Sequence, residues 1–145
     1  MALVVVAIDE SKFAQYAFKF YAEHLHKPSY RVVLYHALEN LFAKDISAAR
    51  LAEYNSKCEK KTAALTELYT KLAEDRQIEV EIRVEKVGVR PEHAISDFIT
   101  QEKPKFVVTG TRGVGVVRRT ILGSTSDFIL HHANCPVVIC TMEDP

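Results

Sequence analysis

The run Leu3-Val4-Val5-Val6-Ala7-Ile8 is apolar at every position rather than at every second one. A strand with one wet face alternates, so an unbroken apolar strand needs cover on both faces, as at the centre of a parallel α/β sheet. This stretch constrains the fold most. Each parallel neighbour of such a strand must be reached by a crossover, normally a helix packed on the sheet.

The rest of the chain supplies those pieces in turn. Asp9-Glu10-Ser11 ends the first strand, and Ser11 can cap a helix whose stripe is Ala14, Ala17, Phe18, Tyr21 and Leu25, stopped by Pro28. Arg31–His36 reads as a second strand, followed by a looser stretch through Lys44. Ser47 opens a long helix with Leu51, Asn55, Cys58, Thr62, Leu65, Tyr69 and Leu72 along one seam. At 1.5 Å per residue it approaches ~40 Å, so its first turns are expected to protrude or fray. Ile78–Val84 alternates with period two, the pattern of a strand near a sheet edge. Pro91 starts a helix carrying Ala94, Ile95, Phe98 and Ile99, and Lys105–Thr109 is a fourth strand. Gly123 or Ser124 begins the last helix, with Thr125, Phe128, Ile129 and His132 expected inward, before a fifth strand, Val137–Thr141.

The order β-α-β-α-β-α-β-α-β specifies an α/β fold: one domain spanning residues 1–145, doubly wound, with a five-stranded mainly parallel sheet and helices on both faces. The wet third strand suits one edge and the short fifth strand the other. Strand order 3-2-1-4-5 is therefore favoured over 2-1-3-4-5. A ligand crevice then belongs where the order reverses, at the carboxyl ends of strands one and four, beside Asp9 and Gly110.

Charge and cysteine usage exclude several classes. Lys and Arg number 19, as do Asp and Glu, so the formal net charge is zero and the basic footprint of nucleic-acid binding is missing. No apolar run approaches the ~20 residues of a membrane span. Three cysteines without metal-ligand spacing suit a reducing compartment, so a cytoplasmic location is expected. No metal site is expected either, since His36, His131 and His132 are not spaced as ligands.

The stretch after strand four carries the chemistry. Glycines let backbone N–H groups approach a ligand, and a helix start presents unpaired N–H groups with partial positive charge, so strand, glycine loop and hydroxyl-rich helix start make an anion site. The phosphate loop G-x-x-x-x-G-K-[ST] is absent, since no glycine precedes Lys and then Ser or Thr. The dinucleotide fingerprint fails as well: position 118 is Arg118, and the first turn has no glycine. A phospho-receiver would want an aspartate after strand three, where Glu85-Lys86 stands. What is present is Gly110, two residues, Gly113, nine residues, then Gly123-Ser124. A left-handed backbone is expected at Gly123. Asp9 alone could cap the first helix, whereas opposite the glycine loop it is placed for a ligand.

The pattern G-x2-G-x9-G-[ST], together with Ala7-Ile8-Asp9-Glu10-Ser11, Tyr35-His36-Ala37 and His131-His132-Ala133-Asn134-Cys135-Pro136-Val137, resembles the universal stress protein family over nearly the whole chain. Members with the complete glycine pattern typically bind ATP. The resemblance implies that Asp9 holds the ribose hydroxyls and that Ala7, Ile8 and Ala37 line the adenine slot. Gly110, Arg112, Gly113, Gly123, Ser124 and Thr125 would surround the phosphates, with Mg²⁺ accompanying them. Ala37 is smaller than the family's usual Val. Val114–Leu122, with Arg118 and Arg119, would form a flap. The function implied is a nucleotide-dependent switch or binding protein in a stress response, with no catalytic residue assigned. A slow ATP-hydrolysing or phosphotransfer enzyme, or a homodimeric scaffold without nucleotide, are the alternatives. The family also commonly dimerises through its fifth strand, here Val137, Val138, Ile139 and Cys140.

Overall fold

The computed structural model describes residues 1–39, 46–111 and 122–142. Five strands form one parallel sheet in the order β3-β2-β1-β4-β5: β1 Leu3–Ala7, β2 Arg31–Glu39, β3 Glu81–Val87, β4 Phe106–Gly110 and β5 Val137–Cys140. The helices are α1 Lys12–Phe20, α2 Ala48–Asp75, α3 Pro91–Glu102 and α4 Ser124–His132, with a π-helical turn, Tyr21–Leu25, continuing α1.

β1 is covered on both faces, as its unbroken apolar run demands. Val4 and Val6 point into a core shared with Ala17, Phe18 and Tyr21 of the first helical segment and Leu65, Tyr69 and Ala73 of α2. Leu3, Val5 and Ala7 point the other way, toward Ala94, Ile95, Phe98 and Ile99 of α3 and Ile129 of α4. Val4, Val5 and Val6 are all 0% exposed. Each such side chain contributes about 1.5–3 kcal/mol through its removal from water.

Ser11 caps α1 through its hydroxyl, which accepts from Ala14 N at 3.2 Å, and Ser47 caps α2 in the same way toward Arg50 N. Pro91 occupies the first helical position of α3, where its missing N–H would have been unpaired anyway. The early turns of α2 lie outside the core, since no residue before Cys58 is buried. Tyr54 ties that part of the helix to the end of β2 by donating to Glu39 O.

Two strand boundaries and the face of one helix differ most from those expected. β2 continues to Glu39, three residues past His36. β3 begins at Glu81 rather than Ile78, because α2 ends in a turn at Gln77 (φ 56°) that folds Ile78 N back onto Ala73 O. Glu81 is the first residue in register with β2, opposite Val33. α4 is rotated relative to expectation: Ser126 and Ile129 are buried, Thr125 and Phe128 are half-buried, and His132 is exposed, stacked on Phe128 at 3.8 Å between ring centroids. The looser segment after β2 (40–45) and residues 112–121, which include all of the expected flap except Leu122 and so Arg118 and Arg119, lie outside the described residues.

Candidate nucleotide crevice

The sheet order reverses between β2-β1 and β1-β4, so the chain leaves β1 toward one side and β4 toward the other. Beyond the carboxyl ends of these strands lies a crevice of ≈310 Å³. Ala7, Ile8, Asp9, Ala37, Gly110, Gly123, Ser124 and Thr125 all border it, whereas Arg112 and Gly113 lie outside the described residues.

Its apolar end is built on the α3 side of the sheet. Ala7 and Ala37 share that face with Tyr35 and with Ile95 of α3, and Pro91 closes the margin. Ile8 borders the crevice too, but its side chain packs into the opposite core. Small residues at positions 7 and 37 leave a slot between β1, β2 and α3. Tyr35 stacks on Phe98 at 4.5 Å and donates to Glu85 Oε2 at 3.1 Å, so the ring flanking this slot is fixed from both ends.

The aspartate wall is the β1–α1 turn. Asp9 Oδ1 accepts from Ser11 N at 2.8 Å, so the carboxylate does serve the start of α1. That is its one hydrogen bond among the described residues, and an ionised carboxylate has about four acceptor positions. Helix support and ligand contact are therefore compatible. Lys61 of α2 lies 3.7 Å from Glu10, and both line the crevice. His36 donates from Nδ1 to Ile8 O at 2.7 Å. Burial holds its pKa below the ordinary 6.5, with Lys61 lowering it further against opposing effects of the Ile8 hydrogen bond, Asp9 and Glu10. The neutral ring thus carries its proton on Nδ1, leaving a buried Nε2 without a partner among the described residues.

The glycine wall joins β4 to α4. Gly110 lies so close to α1 that a Cβ there would stand 2.8 Å from Phe13 O. Its lack of a side chain is a packing requirement. Ser126, buried in the first turns of α4, donates to Gly110 O and lies 3.2 Å from Thr109 Oγ1. Gly123 N donates to Thr111 O at 2.8 Å. Gly123 is the residue preceding α4, with φ −63° and ψ 161°, an extended conformation open to any residue. The expected left-handed backbone is not found, and strain does not explain this glycine. No side chain among the described residues caps α4, so its first N–H groups stay open to a ligand with the helix dipole behind them.

A family model described as "Universal stress protein family" matches residues 2–141. The chain belongs to that family. Among curated relatives, the universal stress protein A-like protein of Arabidopsis thaliana is 35% identical over 48 residues, 33% of this chain and 27% of that protein. This universal stress protein therefore spans only about a quarter of that curated relative in the match. Solved structures match over almost the full length. The universal stress protein UspA from Lactobacillus plantarum superposes with a TM-score of 0.78 at 19% identity, covering 95% of this chain and 96% of its own. An Arabidopsis thaliana family protein with AMP bound superposes with a TM-score of 0.72 at 20% identity, covering 99% and 93%. At such identities these likenesses concern the fold.

The residues that the sequence did not single out at this universal stress protein's crevice are Glu10, Ala14, Tyr35, His36, Lys61, Pro91, Ile95, Thr109 and Ser126. Tyr35 and His36 adjoin Ala37, and Pro91 and Ile95 carry helix signals. Lys61 has no local signal, since it arrives on the far helix α2.

A larger hollow, ≈680 Å³, lies at the opposite, amino ends of the strands and includes Arg31, Arg76 and Glu81. Two ion pairs are formed there by its arginines, Arg31 with Glu81 at 2.8 Å and Arg76 with Glu23 at 3.6 Å. The first crevice instead combines an apolar slot, a carboxylate and a helix start that no described side chain caps.

Proposed function

We propose that the crevice binds an adenine nucleotide, ATP with Mg²⁺ in the first instance, and that the protein acts as a nucleotide-dependent switch or binding module in a stress response. The observation that carries this reading is the meeting of Asp9 with the Gly110 and Gly123-Ser124-Thr125 backbone around one crevice whose other end is an apolar slot. Adenine would enter between Ala7, Ala37 and Ile95. Asp9 would accept from the ribose hydroxyls, and the α4 start, with the hydroxyls of Ser124 and Thr125, would receive phosphate oxygens. Arg112 and Gly113 would complete the phosphate contacts. The AMP-bound relative supports a nucleotide of this class. Among the described residues no cluster of three or more His, Cys, Asp or Glu could hold a metal alone, so Mg²⁺ would arrive with the triphosphate and screen its charge.

Binding is favoured over hydrolysis by where the spare carboxylates go. Asp127 pairs with His131 at 3.4 Å and Glu10 with Lys61 at 3.7 Å, so each already has an ionic partner, and no catalytic motif contains either. Calorimetry with ATP and Mg²⁺ should give saturable heat. No heat, from a folded dimer, would leave a scaffold that binds no nucleotide, and turnover abolished by Glu10→Ala or Asp127→Ala would promote the enzyme.

We also infer self-association through β5. Its inner neighbour is β4, and Val137, Val138 and Ile139 are only half-buried within one chain. Pairing β5 with that of a second copy would cover this apolar edge; sedimentation at micromolar concentration should show a dimer. Free Cys58, Cys135 and Cys140 support a reducing, cytoplasmic setting, and no helix among the described residues is long and apolar enough to cross a membrane.

A further inference from the structure

Three consecutive carbonyls of the β1–α1 turn have no place in the sheet. The β1–β2 ladder ends as Ile8 N donates to Tyr35 O at 2.9 Å, and the chain then turns away into α1. Left alone, the carbonyls of Ile8, Asp9 and Glu10 would look for water or allow the turn to shift. Each is instead taken by a side chain from a different element. His36 of β2 donates to Ile8 O at 2.7 Å, the Tyr69 hydroxyl of α2 to Asp9 O at 2.7 Å, and Gln15 Nε2 of α1 to Glu10 O at 3.2 Å.

The first two are the stronger members of this clamp. Tyr69 is 0% exposed and stands sixty residues along the chain from the atom it holds. Its ring is wedged edge-on against Phe18 at 5.9 Å, so the hydroxyl has little freedom to leave. Burial, with the charges of Asp9 and Glu10, raises its pKa, so it stays a donor. His36 is held the same way: both its neutral Nδ1–H form and its cation donate to Ile8 O, and burial favours the neutral one.

Core packing does not need these hydroxyl and imidazole groups, since Phe and Leu would fill the same space. The atoms they fix are the backbone on both sides of the Asp9 Cα. We propose that Tyr69 and His36 are positioning residues for nucleotide binding: by clamping the carbonyls of Asp9 and Ile8 they hold the Asp9 carboxylate in the orientation that receives the ribose hydroxyls. This rests on the nucleotide reading of the crevice. Tyr69 does not border the crevice, and His36, which does, acts through the Nδ1 hydrogen bond that holds the turn of Asp9.

The test compares ATP with 2′,3′-dideoxy-ATP, each titrated with Mg²⁺ into the full chain. The wild type should bind ATP more tightly, by on the order of tenfold, the value of hydrogen bonds to a charged group. Tyr69→Phe, which removes one oxygen from a buried ring, should lose most of that preference while its affinity for the dideoxy analogue changes less than about twofold. His36→Leu should behave alike, and His36→Asn, which keeps a donor where Nδ1 stands, should restore the preference. A merely structural role would weaken both ligands equally or neither. If the wild type prefers ATP and Tyr69→Phe retains that preference, the clamp is irrelevant to binding and the nucleotide reading survives. If ATP binds but the wild type shows no preference, the ribose role of Asp9 falls and the clamp proposal with it. If ATP does not bind at all, the nucleotide reading itself fails.

Discussion

The two walls of the crevice are made by opposite means. On the aspartate side, side chains from β2, α2 and α1 reach in to hold bare backbone carbonyls of an open turn. On the glycine side the backbone itself is pressed against α1 so closely that there is no room for a side chain at Gly110. The first wall is adjustable one hydrogen bond at a time. The second tolerates nothing, because the atom in the way, Phe13 O, belongs to a helix that cannot retreat without moving the core behind it. A glycine in a ligand-binding pattern can thus be there for the fold.

The two glycines should therefore part company. Gly110→Ala should cost about 2–3 kcal/mol, the range for overpacking a tight interior, seen as a lower urea midpoint. Gly123→Ala should cost ~1 kcal/mol or less, since its φ of −63° suits any residue and only a cap preference is lost. Equal losses at both positions would erase the distinction between a packing glycine and a ligand-facing one.

The aspartate wall is sharpened by Asp9→Asn. The amide oxygen can still accept from Ser11 N, so the turn and the start of α1 survive, while the charge offered to ribose hydroxyls disappears. ATP affinity should fall roughly tenfold, with a melting temperature within about 2 °C of the parent. A large fall in melting temperature instead would assign Asp9 to the helix start alone.

Smaller still is Ser126→Ala. This serine links α4 to Gly110 O and neighbours Thr109, and its loss leaves the Gly110 carbonyl with one fewer donor. About 1 kcal/mol of stability should go, without the collapse expected of Gly110→Ala. An unchanged urea midpoint would show that α4 is held by Ile129 and its neighbours alone.

These contrasts also separate what was legible in the sequence from what was not. The unbroken apolar run of β1 required two covering layers, and the wet alternation near β3 placed that strand at the edge; both are local patterns. The glycine spacing and Asp9 marked the two sides of the crevice for the same reason. The alternation begins at Ile78, three residues before β3 itself, because Gln77 adopts φ 56°, a left-handed conformation that a glutamine does not advertise. The glycine spacing marks Gly110 for a phosphate but says nothing of its contact with Phe13 O, which depends on a helix ninety-odd residues away. Tyr69 looked like one more position on an apolar seam. Its hydroxyl matters only because the β1–α1 turn happens to end beneath it. Long-range hydrogen bonds leave no periodicity behind.

The smallest expected effect is also on the aspartate wall, and it is a matter of pH. His36 and His26 both have pKa values below the ordinary 6.5, chiefly through burial. As pH falls below about 6.5 the unfolded chain takes up protons at these positions before the folded chain does. Stability present at neutral pH is therefore lost progressively below that value, and the loss levels off once the folded-state pKa is passed. His36 should dominate, being much the more deeply held of the two. Urea midpoints at pH 7.5 and pH 5.5 should differ in the wild type and differ less in His36→Asn, which keeps a donor near Ile8 O but has nothing to titrate. The glycine wall contains no such group among the described residues, so Ser126→Ala should lower the midpoint equally at both pH values. A pH dependence that persists unchanged in His36→Asn would move the titration away from the clamp and leave the aspartate wall as insensitive to acid as its counterpart.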